Sequence, residues 1–247
     1  MSGSVKAKVL IVGVGGLGIP AALRLAQAGV GPLTLLDPEQ IELSNLARQV
    51  IYRTSDVGAP KAYTAARRLR ERFPDIEANP IVGTLRAENV HQIVASHDFV
   101  IDGTDDPVAK FLINDTCVDT RRPFVYGGVL GLFGQAMTVL PGTTACLRCL
   151  FEGPPAEGEI ATCRDAGILG PVAGIIGTLQ AEEAALFLHG AQGVLRGRIL
   201  TYDARAGRTR ITNITPRQGC RCGAFEHTAH GGINPGLRPE PVTEGKI

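Results

Sequence analysis

The chain has no excess of either charge. Its 25 lysines and arginines stand against 24 aspartates and glutamates, a formal net charge of +1. So even a balance supplies no long-range field for nucleic acid or an anionic membrane surface, and neither is an expected partner. Long apolar runs are missing too. No stretch is extended and apolar enough to span a bilayer, and the opening MSGSVKAK leads into a strand-like segment without the apolar centre of a signal peptide. A cytoplasmic location is the resulting expectation. In that compartment six cysteines read as metal ligands, catalytic thiols or small buried side chains, not as a disulfide framework. The five histidines are scattered, none at a metal-ligand spacing in a plausible setting, and no internal repeat is visible.

What is present is the alternation of a packed α/β protein. Hydrophobic residues make up 44% of the 247 and charged residues 20%, enough for a core and a solvated surface. KVLIV, PLTLLD, IEANPIVGTL and DFVIDGTDD read as strands. The segments after GVGGLG, after Pro60, at AENVHQIVASH and at PVAKFLINDTCVDTR read as helices. A β-α repeat of this kind predicts a Rossmann-like, mostly parallel sheet with helices on both faces. PFVYGGVLGLFGQAMTVLPG then reads as two strands joined by a glycine-containing turn, extending the sheet in antiparallel fashion. GPVAGIIGTLQAEEAALFLHG is an apolar helix whose glycines suggest close packing, and RILTYDARAGRTRITNI is a hairpin turning near ARAG. The expected organisation is one domain over 1–223. Its nucleotide-binding part covers about 5–122 and a crossover and cysteine lobe about 123–223. A tail at 224–247 lacks periodicity and is expected to be disordered.

Three features carry chemistry. GVGGLG follows the first strand and opens a helix, the setting of a phosphate-binding turn. Gly13 permits the sharp turn, Gly15 and Gly16 allow a phosphate to approach the backbone, and Gly18 lets helix and strand pack closely. Asp37 closes the second strand about 20 residues further on, where a ribose-binding carboxylate belongs. The spacing alone leaves NAD and ATP both open. Asn45, Arg48 and Gln49 in SNLARQ, with Lys61 at the next helix start, read equally as a solvated polar loop or as cations for a triphosphate. Cys146 and Cys149 in CLRC, with Cys220 and Cys222 in CRC, form two close thiol pairs far apart in sequence, the pattern of a structural zinc site.

GVGGLGIPAALRLAQAGVGPLTLLDPEQIELSNLARQ, DVGAPKA, DGTDD, TACLRCLF and GILGPVAGIIGTLQAEEAA resemble, in order and over positions 7–222, the ThiF/MoeB/HesA family, bacterial relatives of the ubiquitin-activating enzymes. The resemblance implies an adenylyltransferase that uses ATP and Mg²⁺ to activate the C-terminal glycine of a small β-grasp, ubiquitin-like sulfur carrier ending in Gly-Gly. It implies phosphate contacts from the glycine turn, a ribose contact from Asp37, triphosphate contacts from Asn45, Arg48 and Lys61 with Gln49 assisting, and magnesium at Asp105. Asp106 stands where the family usually has Asn and is read as a cap of the following helix. Zn²⁺ would sit on the four paired cysteines, although the family's second pair is usually spaced C-x-x-C. Cys163 matches a position that carries thioester or persulfide chemistry in some members, and it reads equally as a small loop residue. A separate sulfur donor protein and a homodimer are also implied. The R-Y-x-R-Q-like arm whose arginine reaches the partner subunit's nucleotide in many members is not found before the first strand, which leaves open whether another arginine, such as Arg24 or Arg53, serves. Activation of another carboxylate or a tRNA base, an NAD-dependent oxidoreductase and a non-catalytic scaffold remain the alternatives.

Overall fold

The computed structural model describes residues 5–155 and 167–223. Within them an 8-stranded sheet runs in the order β3-β2-β1-β4-β5-β6-β7-β8. The strands are β1 (Val5–Val12), β2 (Val30–Asp37), β3 (Ala78–Val82), β4 (Phe99–Asp102), β5 (Phe124–Leu130), β6 (Phe133–Val139), β7 (Arg198–Asp203) and β8 (Arg208–Asn213). The helices are α1 (Gly18–Gln27), α2 (Lys61–Arg72), α3 (Val90–Ala95), α4 (Pro107–Asp119), a single-turn α5 (Leu147–Leu150) and α6 (Gly170–Leu188). β1 to β5 pair in parallel and β5 to β8 in antiparallel fashion. The mostly parallel sheet, the antiparallel extension and the hairpin turning after Asp203 all follow the sequence expectation.

The strand sequences explain why helices cover both faces. Along β1, Val9 and Ile11 join one apolar cluster, with α1, α2 and α6, while Leu10 and Val12 join the other, with α3 and α4. All four are buried. With a period of two, the four successive apolar residues that end β1 leave neither face for water, so this half of the strand must sit inside a covered, parallel sheet, while Lys6 and Lys8 stay exposed near its start. The outer strand β8 is the converse, with every residue exposed.

α6 lies along α1 and the strands β4 to β6. A Cβ at Gly177 would stand 2.2 Å from the carbonyl oxygen of Leu17, so this glycine lets the backbones of α6 and the turn before α1 touch. Gly174, one turn earlier, faces open space. Gly170, at the start of α6, is packed against Arg48, and a Cβ there would stand 3.1 Å from the Arg48 Cβ. Of the three glycines of α6, two therefore reflect close packing and Gly174 does not. No helix among the described residues is long and apolar enough to cross a membrane. Cys163 and the tail beyond 223 lie outside the described residues.

Candidate active site

Strand register brings the functional segments to one edge. Val12 pairs with Leu36 on one side and with Asp102 on the other, and Asp102 pairs with Tyr126. The GVGGLG turn, Asp37 and the DGTDD loop therefore all lie at the carboxyl end of the parallel strands, level with Gly127 of β5. β1 and β4 are adjacent there, and their connections run to opposite faces, the switch point at which open α/β sheets bind ligands.

The four glycines of the turn do different things. Gly13 adopts φ +84°, and a Cβ there would meet Gly103 O at 2.7 Å; at Gly18 it would lie 1.9 Å from Gly13 O. Both are demanded by backbone packing. Gly16 is closed on one side by Ala173, whose Cβ would lie 3.2 Å away, and by the stem of Arg48. At Gly15 a Cβ would meet only Gln49 Nε2, at 3.5 Å, among the described residues, which is ordinary contact, so none of them requires a glycine at that point.

Asp37 ends β2 and is buried. Its Oδ2 accepts from Val14 N–H at 2.7 Å and its Oδ1 from Glu39 N–H at 2.8 Å, which leaves one lone pair on each oxygen for hydroxyl donors. Burial raises its carboxyl above the ordinary carboxylate value, against the opposing pull of those two N–H groups and of Lys61. Lys61, the first residue of α2, is also buried, and its ammonium pairs with the exposed carboxylate of Glu39. The Tyr52 hydroxyl donates to Val14 O at 2.9 Å and has Lys61 O at 3.2 Å, tying the start of α2 to the phosphate turn.

Asn45 closes a single 3-10 turn, where its Oδ1 accepts from Glu42 N–H at 3.2 Å. Arg48 lies against both Gly16 and Gly170, at the start of α6. Among the described residues its guanidinium donates only to Ser44 O, at 3.2 Å. Gln49 is buried; its Nε2 is the atom nearest to a Cβ at Gly15, and its Oε1 has no hydrogen-bond partner among the described residues.

The DGTDD loop separates its three carboxylates by role. Asp102 is fully buried on both oxygens of an ion pair with Lys110, at 3.2 Å, and it accepts from Thr104 N–H at 3.3 Å. Lys110 also donates to Gly127 O and lies 5.0 Å over the Tyr126 ring. Burial raises the Asp102 carboxyl even with Lys110 beside it. Asp106 caps α4, accepting from Val108 and Ala109 N–H at 3.0 and 3.2 Å, as its place before Pro107 predicts. Asp105 stays exposed, with no hydrogen-bond or ion-pair partner among the described residues. Two carboxylates fix the loop and the third is presented.

On the far side of α4 the paired cysteines meet. The sulfurs of Cys146, Cys149, Cys220 and Cys222 all lie within 4.8 Å of one another, Cys146–Cys220 at 3.7 Å and Cys149–Cys222 at 3.4 Å. Tetrahedral zinc–thiolate bonds of about 2.3 Å place sulfurs about 3.8 Å apart, so the cluster has the dimensions of a zinc site, and the short C-x-C spacing does not prevent it. α4 clamps the lobe. Asp115 receives Arg148 in a bidentate pair at 2.7 Å, and Asn114 Oδ1 accepts from Leu147 N–H at 2.8 Å.

Sequence reasoning missed Glu39, Tyr52 and the Asp102–Lys110 pair. Only the last left a signal, a lysine one helical turn after the capping Asp106. Cys163 cannot be placed against the site because it lies outside the described residues.

The ThiF family model matches residues 4–223. The chain is 41% identical over 197 residues to the SAMP-activating enzyme E1 of Haloferax volcanii, covering 80% of this chain and 73% of that protein. It is 39% identical over 218 residues to the adenylyltransferase and sulfurtransferase MOCS3 of Dictyostelium discoideum, covering 87% of this chain and 51% of that protein. The chain thus spans about half the length of the MOCS3 relatives it matches. Among solved structures, Escherichia coli MccB with ATP superposes with a TM-score of 0.78 at 22% identity, over 89% of this chain and 67% of that one, which shows a shared fold.

Proposed function

Because the chain belongs to the ThiF family, we propose that the cleft at the carboxyl ends of β1, β2 and β4 binds Mg-ATP and that the protein is an adenylyltransferase. Its second substrate is the C-terminal glycine carboxylate of a small β-grasp, ubiquitin-like sulfur carrier ending in Gly-Gly. The relatives named adenylyltransferase and activating enzyme support the reaction class. The observation that carries the reading is the convergence on one sheet edge of the open Gly15 turn, the half-satisfied carboxylate of Asp37, Arg48 against Gly16, and the exposed carboxylate of Asp105, unpartnered among the described residues.

In this reaction the carrier's carboxylate oxygen bonds to the α-phosphorus while the bond to the pyrophosphate oxygen breaks. The carboxylate is already a nucleophile at neutral pH, so the site needs no base. It must bring two anions together and neutralise the leaving charge. Asp37 would orient the ribose, and the turn's N–H groups and the Gln49 Nε2 amide would donate to the phosphates. Asn45 would order the segment that presents Arg48, and Arg48 and Lys61 would neutralise charge. Asp105 would hold Mg²⁺, which screens phosphate charge when bound.

The cysteine cluster fits Zn²⁺ by donor type and by spacing, and four thiolates on the metal would lock the lobe to α4. Residues 1–223 act as one unit, a homodimer forms, and sulfur comes from a separate donor, with Cys163 available for a thioester or persulfide. Titration calorimetry separates this reading from a dinucleotide site. ATP with Mg²⁺ binds to wild type and at least tenfold more weakly to Arg48→Ala, whereas tight NADH binding with no ATP binding would overturn the proposal.

A further inference from the structure

Lys61 and Glu39 are brought together by backbone before their side chains meet. Lys61 N–H donates to Glu39 O at 2.9 Å, Ile41 N–H to Ala59 O at 2.9 Å and Gly58 N–H to Ile41 O at 2.9 Å, with Gln40 bridged to Pro60. This short antiparallel ladder sets the two residues side by side at the mouth of the cleft. Their ion pair is lopsided: the lysine side chain is 5% exposed and the glutamate 58%. Asp37 is the other carboxylate near the ammonium, and each of its oxygens is occupied by a backbone N–H.

We infer that Glu39 is the counter-ion that Lys61 exchanges for nucleotide phosphate, a positioning residue for the ATP site; the inference rests on the ATP reading above. A buried ammonium needs an anion at all times. In the free protein that anion is Glu39, which holds Lys61 beside the turn and keeps it from collapsing onto Asp37. Because Glu39 lies on the solvent side, a phosphate displaces it without opening the core. The Tyr52 link between Val14 and Lys61 keeps the base of the lysine fixed to the turn while its head changes partner.

The consequence runs opposite to that of an ordinary contact residue. Glu39→Gln keeps the backbone ladder and removes the competitor, so nucleotide binds more tightly, by about threefold for a pair with one exposed partner. The test uses the full chain and two readouts. Titration calorimetry with Mg²⁺ and the imido analogue of ATP compares wild type, Glu39→Gln, Lys61→Met and the double variant. The gain must appear in Glu39→Gln and vanish on the Lys61→Met background. Without nucleotide, acetic anhydride labelling read by mass spectrometry must modify Lys61 faster in Glu39→Gln than in wild type. Equal or weaker binding by Glu39→Gln, or unchanged labelling of Lys61, overturns the inference. If wild type binds no ATP analogue, the ATP reading fails on its own, and the labelling still decides whether Glu39 holds Lys61.

Discussion

Replacing each of two glycines in the same hexapeptide by alanine should give opposite results. At Gly18 the new Cβ would lie 1.9 Å from Gly13 O and 3.0 Å from Gly13 C, both backbone atoms. No rotamer change relieves that overlap, so β1 and α1 must separate. The cost should exceed the upper end of ordinary overpacking, about 3 kcal/mol, which lowers Tm by roughly 6–12 °C in a protein of this size or prevents folding. At Gly15 the nearest atom is Gln49 Nε2 at 3.5 Å. The residue is not among those with positive φ, so alanine fits and stability stays within about 0.5 kcal/mol. A phosphate held at hydrogen-bond distance from the backbone would meet that methyl group, so ATP affinity should fall at least about tenfold while the fold is intact. Thermal melts and calorimetry on the two variants measure both quantities. A Gly15→Ala protein that melts as low as Gly18→Ala, or that binds ATP as tightly as wild type, would refute the division of labour.

Further outcomes follow from the same geometry. Purified protein should contain about one zinc per chain, and Cys220→Ser should lose it together with much of its thermal stability, as metal analysis and melting would show; wild type purified without zinc would contradict this. Asp105→Asn should raise the Mg²⁺ concentration needed for half-maximal activity at least tenfold with little change in Tm, because its exposed carboxylate has no hydrogen-bond or ion-pair partner among the described residues. Asp56 is buried, and burial alone would raise its carboxyl, but Arg53 N–H and the Arg68 guanidinium outweigh it and hold the carboxyl below the ordinary value. A depressed carboxylate contributes stability above its unfolded value and loses it as pH falls through the folded one. Asp56→Asn should therefore destabilise the protein at neutral pH, and the gap to wild type should narrow below about pH 4. Denaturant melts at several pH values would read that convergence, and a constant gap would count against the assignment.

The parts of the fold that were legible in the sequence rest on local physics. Uninterrupted apolar strands, Pro107 behind a capping Asp106 and the ARAG turn each specify a conformation through neighbouring residues. Gly13 and Gly18 were legible for the same reason. The cysteine pairs were legible as a cluster because metal-ligand chemistry constrains residue type at short spacing. Glu39, Tyr52 and Lys110 were not. Their partners are set by register and by a short ladder between residues 39–41 and 58–61; an exposed-looking glutamate or a lone tyrosine carries no mark of that in one dimension, and Lys110 left only its place one helical turn after Asp106. Burial of Lys61 was likewise invisible, since lysine at a helix start ordinarily stays in water.

The central claim is that this edge of the sheet adenylates a protein C-terminus, and ATP–pyrophosphate exchange tests it most directly. Labelled pyrophosphate should enter ATP only when a small β-grasp protein ending in Gly-Gly is present. The exchange should be lost when that tail is truncated and should fall at least about a hundredfold with Arg48→Ala, as for the loss of one charge-stabilising group. Exchange with no carrier present, or none with any carrier by protein that binds ATP, would contradict it.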